Sequence, residues 1–183
     1  ILKDFVERHK AEPQTNFIYI NKERKKFDAI KTHEQLNAYI DEHMVEDAHN
    51  FILIDEVQEI ECWEKSVRSY RMEDDTDIII TGSNSKMLSS ELGTLIGGRY
   101  QEIYIQSLSY QEFLLFHGLE ESDEALWKYL NYGGLPGLMQ IDLDDEDLVW
   151  DYIKGVYHTV MLKDIIERNS IRNVAFLNTL LRY

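Results

Sequence analysis

The chain has 183 residues, enough for one domain or a little more with a real core, and its 44% hydrophobic and 29% charged content is ordinary for a globular protein. Against 34 acidic residues stand 19 basic ones, and the resulting net charge of −15 argues against a broad nucleic-acid surface of clustered Lys and Arg. No apolar run approaches the roughly 20 residues of a membrane span and nothing at the start reads as a signal peptide. The single cysteine, Cys62, excludes an internal disulfide or a cysteine-built metal cluster and suits a reducing cytoplasm, the compartment expected here.

In chain order, Ile1–Lys10 sets Leu2, Phe5, Val6 and His9 near one helical face and reads as the tail of a helix, closed by Pro13. Asn16–Ile20 is a predicted strand. The basic cluster Lys22, Arg24, Lys25 and Lys26 reads as a solvated loop. Thr32 is a plausible N-cap for a helix that carries Leu36, Tyr39, Ile40 and Met44 at helical spacing. Next comes Asn50–Gln58, in which Phe51–Ile52–Leu53–Ile54 runs straight into Asp55 and Glu56. Four large apolar residues bounded by charge read as a strand buried on both faces, as in a parallel sheet. A helix over Trp63–Tyr70, a strand over Asp77–Thr81, a helix over Ser89–Ile96 and a fourth strand around Tyr100–Ile105 follow. From Tyr110 the pattern is helical to the end, broken by the turn Gly133–Gly134–Leu135–Pro136–Gly137.

Alternating strand and helix implies an α/β fold with a parallel sheet and crossover helices, and an all-helical part comes after it. The acidic run Asp142–Asp147 lacks the glycine and glutamate of a calcium loop and is read as an acidic start to the helix near Leu148.

Two acids at the end of a buried strand are hard to explain by packing, because an unpartnered buried carboxylate costs several kcal/mol or stays protonated. The carboxyl ends of strands in open α/β sheets are where ligands bind. Asp55 is the candidate Mg²⁺ ligand, acting through water, and Glu56 the candidate base that polarises an attacking water. The plainer alternative is a strand that ends at a solvated turn. Thr81–Gly82–Ser83–Asn84–Ser85 puts short polar side chains at the next strand end, suited to a γ-phosphate or lytic water, or simply to a turn. Arg99, beside Gly97 and Gly98, can swing toward a phosphate or lie idle on the surface. The turn around Gly133, Gly134 and Pro136 can pack on an adenine ring or merely join two helices. His43, Asp47 and His49 lack a further metal ligand and read as a solvated helix end. Cys62 reads as packing, and Phe113, Phe116, Trp127, Tyr129 and Trp150 read as core aromatics.

Phe51–Gln58, Thr81–Ser85 with Leu88–Leu92, Gly98–Arg99, Leu108–Phe113 and Tyr132–Gly137 together resemble the prokaryotic AAA-type ATPases that carry a C-terminal domain of unknown function. Thr159–Arg168 is similar to the start of that C-terminal part. The resemblance implies a P-loop NTPase core, three-layer α/β/α, over 1–117, a helical lid over 118–155, and the start of a helical or winged-helix domain over 156–183. It implies ATP and Mg²⁺ as cofactors, Asp55 and Glu56 as the Walker B pair, Asn84 with Ser83 as the sensor-1 position, and Arg99 as an arginine-finger-like position. The Gly-Gly-Leu-Pro turn resembles the lid motif of the related STAND nucleotide switches. The family's phosphate loop, G-x-x-x-x-G-K-[ST], is absent, since Gly82 is the only glycine before Gly93. With Ile1 in place of a methionine and Tyr183 inside an amphipathic pattern, both ends are expected to be cut, with that loop immediately before Ile1. The expected activity is Mg²⁺-dependent ATP hydrolysis, with ATP or ADP as ligand, a homo-oligomer as one assembly, and no membrane. The rivals are a non-hydrolysing nucleotide switch and a DNA-associated scaffold that uses the C-terminal part.

Overall fold

Three parallel strands carry the first half of the chain. The computed structural model describes residues 2–82, 98 and 100–160, and the chain divides into two compact units, 1–102 and 103–183. In the first unit, α1 (Leu2–His9), β1 (Thr15–Asn21), a 3₁₀ turn (Lys25–Phe27) and α2 (His33–His43) come first. They lead to β2 (His49–Asp55), a second 3₁₀ turn (Val57–Glu59), α3 (Trp63–Tyr70) and β3 (Thr76–Ile80). The strands lie in the order β1–β2–β3, with Asn21 opposite Asp55 and Ile54 opposite Ile80. β2, the run of apolar residues ending in acid, is the central strand.

Strand parity decides which side chains meet which layer. Ile18, Ile20, Ile52 and Ile54 form the main core with Leu36 and Ile40 of α2 and with Trp63, Val67 and Tyr70 of α3. Tyr39 and Met44 pack against the same cluster, as the helical spacing predicts. On the opposite parity Phe17 stacks on Phe51 at 5.2 Å, and Phe5 of α1 meets Phe51 edge-on at 5.5 Å. Helices therefore flank both faces of the sheet, the α/β arrangement expected. Full burial of one such isoleucine stabilises the fold by about 1.5–3 kcal/mol, so this core carries most of the unit's stability.

Local polar groups set where the strands begin. Gln14 and Asp75, each just before a strand, have positive φ (56° in both), and their carbonyls accept the amides of His49 (2.7 Å) and Asn50 (2.8 Å). Asn50 is 4% exposed and fully bonded. Its Nδ2 donates to the carbonyls of Val45 (3.1 Å) and Ala48 (2.9 Å), while its Oδ1 accepts from Asn16 Nδ2 (2.8 Å) and the Val45 amide (3.1 Å). Lys22 is not part of a solvated loop: its ammonium donates to the carbonyls of Phe27 and Ile30, both at 2.6 Å, and burial pulls its pKa down.

The second unit contains α4 (Tyr110–His117), α5 (Asp123–Tyr132), a 3₁₀ turn (Pro136–Gln140) and α6 (Glu146–Val160). Phe113, Tyr132, Leu138, Leu143 and Val149 form its core. Ser109 and Ser122 cap α4 and α5 by accepting the amides of Glu112 and Ala125. Asp145 Oδ1 accepts the Leu148 amide at 3.1 Å, which gives the acidic run its use at a helix start. Lys128 ties that run to α5 through Asp144 (2.5 Å) and Glu124 (3.0 Å), and these two carboxylates raise its pKa to about 12.

Three further expectations are corrected. Tyr100–Ile105 forms no ladder among the described residues: its backbone is irregular, and Ile103, Tyr104 and Ile105 are exposed. Cys62 is exposed and left-handed (φ 56°) at the start of α3 rather than packed inside. Of the aromatics taken as core, Phe113 is buried and Tyr129 packs beside it, whereas Phe116, Trp127 and Trp150 are exposed. The predicted helix over Ser89–Ile96 and the segment from Met161 to Tyr183 lie outside the described residues. Among the described residues no helix is long and apolar enough to cross a membrane.

Candidate functional site

The two acids stand at the carboxyl end of the central strand, and the neighbouring strands both reach them. Backbone bonds draw the three strand ends together: Lys22 N donates to Asp55 O (3.2 Å), Thr81 N to Ile54 O (2.9 Å), and Val57 N to Thr81 O (3.0 Å). The parallel register then sets Asn21 beside Asp55 on one side and Thr81 on the other.

Among the described residues, Asp55 is held by three neutral donors. Its Oδ2 accepts from Asn21 Nδ2 (2.7 Å) and from the Tyr19 hydroxyl (3.1 Å), and its Oδ1 accepts from Thr81 Oγ1 (2.5 Å). Asn21 is itself fixed, since its Oδ1 accepts the Glu23 amide at 2.9 Å. Burial holds the Tyr19 phenol above its usual pKa; Asn21 opposes that and the Asp55 carboxylate adds to it, so Tyr19 stays a neutral donor. Neutral donors orient a negative charge without cancelling it. A carboxylate offers about four acceptor positions, and these bonds fill three of them.

Glu56 turns the chain. It adopts φ 58° and ψ 52°, a left-handed conformation that is uncommon for a residue with a side chain and costs about 1–2 kcal/mol. Its amide lies 3.4 Å from Thr81 Oγ1, and its Oε2 accepts from Gln58 Nε2. This residue ends the run of β2 and leads the chain into the 3₁₀ turn Val57–Glu59.

This donor set suits a Mg²⁺ that keeps most of its waters. Mg²⁺ prefers hard oxygen ligands and is usually held by one or two carboxylates plus phosphate oxygens rather than by a protein cage. Among the described residues, Asp55 has no ion-pair partner and keeps a spare acceptor position. Among the described residues there is no group of three or more His, Cys, Asp or Glu placed to hold a metal by themselves. The other metal-like cluster is structural: His43 Nδ1 lies 2.8 Å from the Tyr39 carbonyl, and His49 Nε2 lies 3.0 Å from Asp77.

In the second unit the glycine turn is shaped by packing. Gly133 has φ 74° and ψ −173°, a region glycine alone enters freely. A Cβ on Gly134 would stand 2.2 Å from the Leu108 carbonyl oxygen, and Leu108 N donates to Gly134 O at 2.8 Å. Pro136 opens the 3₁₀ turn behind them. Ser83, Asn84 and Arg99 lie outside the described residues. Of the expected site residues, the structure therefore brings Asp55 and Glu56 together, and it adds Tyr19, Asn21 and Thr81 as partners. Sequence reasoning missed Tyr19 and Asn21 in this role. The available signal was Asn21 closing the first strand, level with the acid that closes the second.

A family model described as AAA domain matches residues 1–114. An uncharacterized protein of Haemophilus influenzae is 34% identical over 173 residues, covering 92% of this chain and 42% of that protein. An uncharacterized protein of Methanocaldococcus jannaschii is 34% identical over 178 residues, covering 90% of this chain and 39% of that protein. The chain thus spans about two-fifths of the length of these curated relatives. No solved structure matches significantly.

Proposed function

The chain belongs to the AAA domain family, whose members are ATPase-like nucleotide-binding domains, and from that membership we propose that its first unit binds ATP with Mg²⁺ and hydrolyses it. The observation that carries the reading is Asp55 at the end of the central strand, its carboxylate bonded to side chains of both neighbouring strands. Asp55 holds the metal's water shell through its spare acceptor position. Glu56 orients a water for in-line attack and takes its proton. When bound, Mg²⁺ supplies the charge that neutralises the transferring phosphoryl group. Asn84 with Ser83 fills the sensor role in this reading, and Arg99 the arginine-finger-like role. Self-association belongs to the same proposal, whereas DNA contact through the C-terminal part, Asp164–Tyr183, belongs to the rival scaffold reading.

The 183 residues contain no G-x-x-x-x-G-K-[ST] loop, so turnover is to be measured on the complete protein. There, Glu56→Gln is expected to keep ATP affinity within about threefold and to lower kcat about 100-fold or more. Unchanged hydrolysis would remove Glu56 from the chemistry. One observation favours a second reading, a nucleotide switch that does not turn over: Gln58 already occupies a Glu56 carboxylate oxygen. Single-turnover hydrolysis separates the two, because a switch leaves bound ATP intact.

A further inference from the structure

We propose that Thr81, the first residue beyond β3, is a positioning residue that holds both acids of the site in one fixed arrangement, with Asn21 restraining the far side of Asp55. The inference rests on the ATPase reading above and names residues beyond it. Among the described residues, the Thr81 hydroxyl is bonded to the Asp55 carboxylate and to the backbone of Glu56 alike. A hydroxyl has one proton and two lone pairs. The proton goes to Asp55 Oδ1 at 2.5 Å, and a lone pair faces the Glu56 amide at 3.4 Å.

The backbone of Thr81 is committed as well. Its amide donates to Ile54 O at 2.9 Å and its carbonyl accepts Val57 N at 3.0 Å, so the hydroxyl springs from a residue pinned on both sides of the acid pair. Asn21 and Tyr19 fill Oδ2 of Asp55 with two bonds, at 2.7 and 3.1 Å. Among the described residues, the acceptor position left over is on Oδ1, the oxygen turned toward β3. A metal-bound water is thereby directed to one oxygen and one side. Without the Thr81 hydroxyl the carboxylate would keep its Oδ2 partners and rotate about them, and the left-handed turn at Glu56 would lose a partner for its amide. Groups that orient a metal ligand typically change metal affinity or activity by about 10–100-fold when removed.

The test uses the complete protein and its Thr81→Val and Thr81→Ser variants. Mn²⁺ affinity in the presence of ATP is read from the loss of the free Mn²⁺ signal in electron paramagnetic resonance, and kcat and KM for ATP are measured alongside. Thr81→Val keeps the shape and β-propensity of threonine but removes the hydroxyl. It is expected to weaken Mn²⁺ binding about tenfold or more, and to lower kcat while KM for ATP moves less than about threefold. Thr81→Ser, which keeps the hydroxyl, is expected to restore Mn²⁺ affinity to within about threefold of the parent. If Thr81→Val does not fold, Thr81→Ala removes the same group with less bulk and replaces it. A hydroxyl-free variant that binds Mn²⁺ within about twofold of the parent overturns the proposal, even if it melts at a lower temperature. Turnover by the parent and by Glu56→Gln keeps the two claims apart: ATP hydrolysis by the parent, lost in Glu56→Gln, with normal Mn²⁺ binding in Thr81→Val sinks this inference alone, whereas a parent protein that turns over no ATP sinks the ATPase reading.

Discussion

Replacing Asn50 with Asp exchanges one NH₂ group for an oxygen, and the surroundings of that group make the exchange expensive. Nδ2 of Asn50 lies 2.9 Å from the Ala48 carbonyl and 3.1 Å from the Val45 carbonyl, in a residue 4% exposed. In Asn50→Asp a carboxylate oxygen would face both carbonyl oxygens at those distances. Two hydrogen bonds are lost, at about 1 kcal/mol each, and the abutting acceptors add about 1–3 kcal/mol of desolvation without a partner. The expected destabilisation is about 3–5 kcal/mol near neutral pH. Protonation of the introduced carboxyl would restore a donor, so its folded-state pKa should lie above the unfolded value. The folded state then binds more protons than the unfolded one, and stability falls as pH rises. The assay is urea unfolding followed by backbone circular dichroism, at about pH 7 and about pH 5, with the parent measured beside the variant. The gap between them should shrink at the lower pH. A variant within about 0.5 kcal/mol of the parent at neutral pH would refute the view that this amide holds the start of β2.

The second unit offers two further tests. His117 Nε2 is buried without a partner among the described residues, and burial lowers the imidazole pKa. Its neutral form therefore supports folding, with that contribution intact above the unfolded value of about 6.5 and lost as pH falls below it toward the folded-state pKa. His117→Phe should reduce the acid sensitivity of the urea midpoint, and an unchanged pH slope would assign that sensitivity elsewhere. Gly134→Ala sets a methyl against the Leu108 carbonyl and should destabilise the second unit by about 1–3 kcal/mol, read as a lower melting temperature.

Much of the first unit is legible because its signals are local. The run Phe51–Ile54 is too apolar for a surface strand, and its parity sends Ile52 and Ile54 to α2 and α3 as Ile18 and Ile20 are sent from β1. The same parity carried a signal that was easy to overlook: Asn50 shares the core-facing side with two isoleucines, where a polar residue needs internal partners. The partners of Asp55 were hidden for another reason. Whether Tyr19 and Asn21 reach it depends on the register between two strands separated by a helix, and no local pattern states that register. Tyr100–Ile105 shows the limit of β-propensity, which describes a fit to a pleated surface and does not by itself make a strand. The left-handed turns at Glu56 and Cys62 escaped notice because neither residue is glycine.

The pegs at Gln14 and Asp75 act from a distance on the end of the sheet that carries Asp55. Each grips the first amides of β2, one from either flank, before the ladder proper begins. Sliding the central strand by a single residue would mean tearing out both, and it would also swing Asp55 through the sheet to the side occupied by α2 and α3. The address of the acid is thus written at the opposite tip of its own strand, about 20 Å away for seven residues in extended form. Damage to those quiet turns would therefore misdeliver the carboxylate without altering any group that touches it.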